Sequence, residues 1–185
     1  RLFAGTGAII VYATTEPMEA LALGGTTATL SQGRITQFGP TLDLYRRPKD
    51  LITAKTFSDP PMNTVGVDTA GWQNAPAGAS TLAFRPHHLK PGVGSESALA
   101  FKATVISTEI TGSESFIHMS RGADRWVMLA HGIRVYPAGE QLDVHVDFRG
   151  GWLTEFYPNA KADAPGLKQG DFRFGKLTPQ TVGSL

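Results

Sequence analysis

The order of apolar and polar positions divides the chain into two patterns that meet near Asp59. Before that point strand and helix signals alternate. Ala8-Ile9-Ile10-Val11-Tyr12-Ala13 is a short apolar, partly β-branched run and predicts a strand buried in a mostly parallel sheet. Thr14-Thr15-Glu16-Pro17 combines hydroxyl caps, an acidic first turn and an early proline, the signature of a helix start. Met18, Leu21 and Ala22 give that helix an apolar stripe, and Gly24-Gly25 should stop it. Strands are expected over 26–31 and 34–38, joined by a turn at Gln32-Gly33. A short helix over 42–46 is closed by Pro48, and a further helix is capped by Asp50, with Leu51, Ala54 and Phe57 on one face.

Asp59-Pro60-Pro61 ends helix formation. Beyond it the chain reads as strands and turns. A loop of small and polar residues is expected over 68–80, then strands over 81–85, 99–107, 115–119, 126–130 and 142–148. In the last of these, Leu142, Val144, Val146 and Phe148 alternate with Asp143, His145 and Asp147. Short strands separated by glycine-bearing turns imply a small sandwich or barrel. After Pro158 the pattern fades into what reads as an irregular tail. The expected fold class is α+β overall, with three regions: 1–58 mixed α/β, 59–158 mostly β, and 159–185 irregular.

Composition narrows the function classes. At 185 residues, with 41% hydrophobic and 18% charged side chains, the chain can bury a real core and is not disordered in character. Seventeen basic against sixteen acidic residues leave a net charge of +1, which gives no electrostatic case for nucleic acid. There is no cysteine, hence no disulfide framework, thiolate metal site or cysteine nucleophile. No run approaches the ~20 apolar residues of a membrane-spanning helix. The first residue is Arg1 rather than methionine, and the N-terminus is expected to be a cut end.

Several side-chain sets invite a chemical reading. His87-His88 on an extended segment should point to opposite sides, which disfavours joint chelation and favours a structural role. Asp143, His145 and Asp147 share one strand face and form a better candidate metal or proton site, set against the plain reading of a solvated face. Trp72, Trp126 and Trp152 could stack on sugars or bases, although packing is the commoner use. No Ser-His-Asp set can be ordered from the spacing.

Five segments, in order, carry a family resemblance. Val11-Tyr12-Ala13-Thr14-Thr15-Glu16-Pro17-Met18-Glu19-Ala20 resembles the switch region of ABC ATPases. Thr29-Leu30-Ser31-Gln32-Gly33-Arg34-Ile35-Thr36-Gln37-Phe38-Gly39 resembles the hairpin that follows it, and Leu42-Asp43-Leu44-Tyr45-Arg46-Arg47-Pro48 the next helix. Phe57-Ser58-Asp59-Pro60-Pro61-Met62-Asn63 resembles the entry to the C-terminal module of sugar-importer subunits, and Thr81-Leu82-Ala83-Phe84-Arg85-Pro86-His87-His88-Leu89 the Arg-Pro-x-His-Leu signature of that module. The match loosens beyond Leu89, where an OB-like TOBE module still fits.

The resemblance implies the C-terminal part of the ATP-binding subunit of a carbohydrate-import ABC transporter of the maltose or glycerol-phosphate type. Residues 1–58 would be a truncated α/β remnant of the nucleotide-binding domain, and 59–158 a mostly β OB-like (TOBE) barrel serving regulation or dimerisation. Partners implied are a second copy of the chain and membrane permease subunits, at the inner face of the cell membrane. Such subunits use ATP and magnesium, held by Walker A, Walker B and signature motifs that this chain lacks. Gly5-Thr6-Gly7 is too short for a phosphate loop. The chain alone is therefore expected to bind no cofactor tightly and to be inactive, although the parent resembles a transport ATPase. Thr15 stands where the family usually has a histidine that polarises the γ-phosphate and the attacking water, which implies a degenerate catalytic position. A reading of another class is a small-oxyanion binding module of OB type, as in importers of molybdate or tungstate.

Overall fold

The computed structural model describes residue 7, residues 9–71 and 79–147, and the backbone of 155–158. The expectations for Gly5 and Thr6, Ala8, residues 72–78, Trp72, Phe148, Trp152 and the tail 159–185 lie outside the described residues.

The first expected strand is absent. Residues 9–13 adopt no regular structure, and Ile9, Ile10, Val11 and Tyr12 are 54–87% exposed. A parallel-sheet strand needs hydrogen-bonding neighbours, and no described strand lies beside this run. Helix α1 (Pro17–Leu23) starts where Pro17 allows, but its N-cap is Glu16 and no side chain caps it. The helix has no fully buried residue: Leu21 is half-buried, whereas Met18 and Ala22 are exposed. Gly24 terminates it at φ 69°, donating its N–H to Ala20 O.

Strands β1 (Thr26–Ser31) and β2 (Arg34–Pro40) form the expected antiparallel hairpin. Its two-residue turn places Gln32 and Gly33 both at positive φ, 48° and 74°, the geometry of a type I′ connection. Helices α2 (Thr41–Arg46) and α3 (Leu51–Thr56) follow. Asp50 caps α3 by accepting from Thr53 N at 2.7 Å, and Ala54 and Phe57 are buried on the expected face. Thr29, Thr36 and Thr53 join hydroxyls beneath the hairpin, with Thr36 and Thr53 2.9 Å apart.

After the two prolines come a strand and a short helix that the sequence did not announce, β3 (Asn63–Gly66) and α4 (Val67–Ala70). Strand β4 (Ala79–Phe84) pairs antiparallel with β3. A 3-10 turn (Pro86–His88) leads into β5 (Leu89–Pro91). The long strands β6 (Leu99–Ile110), β7 (Glu114–Arg121) and β8 (Asp124–His131) form a meander, and β9 (Gln141–Val146) returns beside β6. Strand β10 (Glu155–Pro158) pairs with β4.

The sheet order β5-β9-β6-β7-β8 contains a Greek key: three hairpin-connected strands and a fourth returning beside the first. The other sheets are β1-β2 and β10-β4-β3. Alternation along the strands buries Phe101, Ala103, Val105, Ile117, Met119, Trp126, Met128, Val144 and Val146 against Val65, Leu82 and Phe84 of the three-stranded sheet. The chain is thus β-rich, and its sheet is compatible with an OB-like module. A smaller cluster of Ala54, Met62 and Ala83 joins α3 to β4. Among the described residues no helix is long and apolar enough to cross a membrane.

Candidate functional site

The chemistry suggested by sequence centres on Thr15, at the mouth of α1. Its neighbours, not Thr15 itself, organise the turn. Thr14 Oγ1 accepts from Glu16 N at 2.9 Å and donates to the Glu19 carboxylate, which also accepts from Tyr12 Oη at 3.0 Å. The Glu19 hydrogen bond, reinforced by its negative charge, holds the Tyr12 phenol above its usual pKa. Thr15 lies exposed between these groups and does not cap the helix, because the N-cap is one residue later.

The Arg-Pro-x-His-Leu segment is placed quite differently. Pro86 disfavours helical backbone at the preceding residue, and Arg85 is extended at φ −74°, ψ 154°. Its side chain is 95% buried, and it reaches α2. Arg85 Nη2 donates to Tyr45 O at 2.8 Å, and the guanidinium lies 4.1 Å from the centre of the Tyr45 ring. Tyr45 O belongs to the last helical turn, whose carbonyls lack helical partners, so the cation meets a waiting acceptor. Phe57 packs its ring edge-on to the other partner of this stack, Tyr45, at 6.5 Å.

His87 and His88 sit on the 3-10 turn and not on an extended segment. Their rings lie side by side, edge to face at 4.1 Å, so the expected opposed geometry is corrected by the turn that Pro86 initiates. Burial, with smaller contributions from Arg85 and Lys90, holds His87 below the ordinary histidine pKa.

The strand face of Asp143, His145 and Asp147 does not assemble into a metal site. Lys102 Nζ takes Asp143 at 2.9 Å, His145 Nδ1 donates to Gly92 O at 2.9 Å, and Ser95 Oγ approaches Asp147 at 3.5 Å. Each side chain is spent on a separate partner. Among the described residues no group of three or more His, Asp or Glu gathers in a way that could hold a metal ion.

Trp126 is core, not a stacking platform. It is 1% exposed, meets Phe84 and Phe101 edge-to-face, and donates Nε1–H to Thr64 O at 3.0 Å. Asn63, the last residue of the Asp59–Asn63 signature, is a clamp that sequence reasoning missed. It donates Nδ2–H to Val127 O at 2.8 Å and accepts from Val127 N at 2.7 Å, tying β3 to the open edge of β8. With Met62 before it and Thr64 after it, the local sequence does not signal that role. Two of the sequence signatures therefore encode structural joints.

No protein-family model matches the chain. Curated proteins do. The sn-glycerol-3-phosphate import ATP-binding protein UgpC 2 of Rhizobium johnstonii is 31% identical over 144 residues, covering 76% of this chain and 42% of that protein. UgpC 1 of Rhizobium etli is 32% identical over 111 residues, 59% of this chain and 32% of that protein. UgpC of Rhizobium meliloti is 31% identical over 128 residues, 64% and 36% respectively. The chain thus spans less than half the length of the curated relatives it matches. The family resemblance carried by the five segments holds: the chain is a relative of import ATP-binding proteins, consistent with the C-terminal part of a sugar-import ABC ATPase that carries a β-rich module.

Proposed function

We propose that this chain is part of an ATP-binding subunit that powers import of a sugar or polyol, with sn-glycerol-3-phosphate as the first substrate to test. The carrying observation is the match to glycerol-phosphate import proteins over 76% of the chain. In this reading residues 1–58 complete an ATP-binding domain whose phosphate-binding motifs lie elsewhere in the subunit. Residues 59–158 are an OB-like TOBE module used for regulation and for pairing with a second copy. The Greek-key order of its main sheet supports that assignment. The subunit works against membrane permease partners, at the cytoplasmic face of the membrane, and takes ATP and magnesium there.

Thr15 makes the switch position weak. A threonine hydroxyl donates one hydrogen bond but carries no positive charge near neutral pH, so it stabilises the transferring phosphoryl group less than an imidazole does. The test is a chimera in which this chain replaces the matching stretch of the Rhizobium johnstonii relative, assayed for sn-glycerol-3-phosphate uptake and ATP hydrolysis. Uptake is expected, and Thr15→His should raise hydrolysis by roughly tenfold or more. A folded, membrane-associated chimera without uptake would sink the transport reading. Unchanged hydrolysis in Thr15→His would sink the role given to Thr15.

A further inference from the structure

The Arg85–Tyr45 contact is the strongest polar feature that the functional reading leaves unused. Arg85 is 5% exposed, and a buried cation is tolerated only where donors and charge are met. Here α2 supplies a carbonyl and a ring face to the cation carried just beyond the end of β4.

A small apolar cluster also joins these parts. Ala54 and Leu51 of α3 meet Ala83 and Met62, which fixes proximity but little about angle. A planar guanidinium that donates a directed hydrogen bond to Tyr45 O and lies over the Tyr45 ring fixes orientation. On the far side, α2 is welded to the end of α1. Thr41 N donates to Gly25 O at 3.0 Å, and Thr41 Oγ1 reaches Gly24 O and Gly25 O at 3.1 and 3.2 Å. Thr41 Oγ1 also lies 2.7 Å from Thr27 Oγ1 on β1. A continuous series of directed contacts therefore runs from the segment carrying Thr15, through α1 and α2, to Arg85 at the end of β4.

We propose that Arg85 is a positioning residue that locks the β module to the α1–α2 unit, so that a displacement of α1 is transmitted to β4. This deepens the reading of the chain as part of a transport subunit, where such a lock would link the switch segment to the accessory module. The lock itself is a property of this chain and is testable without transport.

The experiment is hydrogen exchange on the full 185-residue chain, comparing wild type, Arg85→Met, Tyr45→Leu, the double variant and Tyr45→Phe. In Arg85→Met, losing a hydrogen bond from a charged group should speed exchange in α1 and α2 by roughly ten- to a hundredfold, with β6, β7 and β8 unchanged. Tyr45→Leu keeps the backbone carbonyl and loses only the ring face, so it should speed exchange less, by roughly three- to thirtyfold; the double variant should add little to Arg85→Met, and Tyr45→Phe, which keeps ring and carbonyl, should behave as wild type. Unchanged exchange in α1 and α2 in either single variant would overturn the proposal. So would loss of protection confined to β6–β8, the signature of an ordinary core residue. If Arg85→Met does not fold, Tyr45→Leu on half-exposed α2 decides alone by the same two criteria. Failure of the lock would show here, whereas failure of the transport reading would show only in the uptake assay.

Discussion

Replacing Asn63 tests how the two sheets of the β module are held together. Asn63 is 2% exposed and bridges β3 to β8 through both Val127 backbone groups, at 2.8 and 2.7 Å. Strand β8 ends its sheet, and those two groups point off its free edge, where β7 cannot reach them. In Asn63→Ala both lose their partner while the surrounding core stays closed. A buried backbone group left unsatisfied costs about 1–3 kcal/mol, so the pair should cost about 2–6 kcal/mol. Some relief comes from water entering the space vacated by the amide, which favours the lower half of that range. Asn63→Asp should be no better, because the carboxylate keeps the acceptor for Val127 N–H but sets negative charge against Val127 O. Urea denaturation followed by far-UV circular dichroism measures the loss as a shift in midpoint at constant slope. A loss below about 1 kcal/mol for Asn63→Ala would refute the reasoning, since it would mean that the clamp is not what satisfies the β8 edge.

Three further outcomes are expected. In Gly94→Ala the new Cβ would fall 2.5 Å from His145 Cδ2 and 2.6 Å from Ala98 Cβ, at φ +73°, so thermal unfolding should reveal a loss of about 1–3 kcal/mol that His145→Ala partly restores. Asp50→Ala removes the α3 cap and should cost about 1 kcal/mol by urea titration, whereas Lys102→Ala, which breaks an ion pair between side chains 78% and 46% exposed, should cost under about 0.5 kcal/mol. His87 has its folded pKa lowered by burial, so the unfolded chain binds the proton more readily. Its contribution is complete above the usual value of about 6.5 and is lost as pH falls toward the lowered folded value. The difference in stability between wild type and His87→Gln should accordingly change between pH 7 and pH 5, measured as the denaturation midpoint, and a flat difference would contradict the burial of His87.

Local pattern alone specified a good deal of this protein. The β1–β2 hairpin, the Asp50 cap, the face of Ala54 and Phe57, and the alternation of Leu142, Val144 and Val146 all depend on contacts within a few residues or on a period of two. The family resemblance was legible for a related reason: signatures such as Asp59–Asn63 and Arg85–Leu89 are contiguous in the chain. What those signatures do was not legible. Asn63 acts on Val127, and Arg85 acts on Tyr45, separations of 64 and 40 residues that no local pattern encodes. Tertiary structure also decided two local readings. The apolar run 9–13 has every propensity for a strand, yet a strand exists only where another offers its backbone, and none of the described strands does. The face of Asp143, His145 and Asp147 could be read as a ligand set or, more simply, as a solvated face, because a strand aligns alternate residues in either case. Lys102, Gly92 and Ser95, brought in from the neighbouring strand and loop, take those side chains one by one. The sequence alone set which elements could form and which family they resemble. Only the fold decided which side chains meet, because a hydrogen bond depends on distance in space and not along the chain.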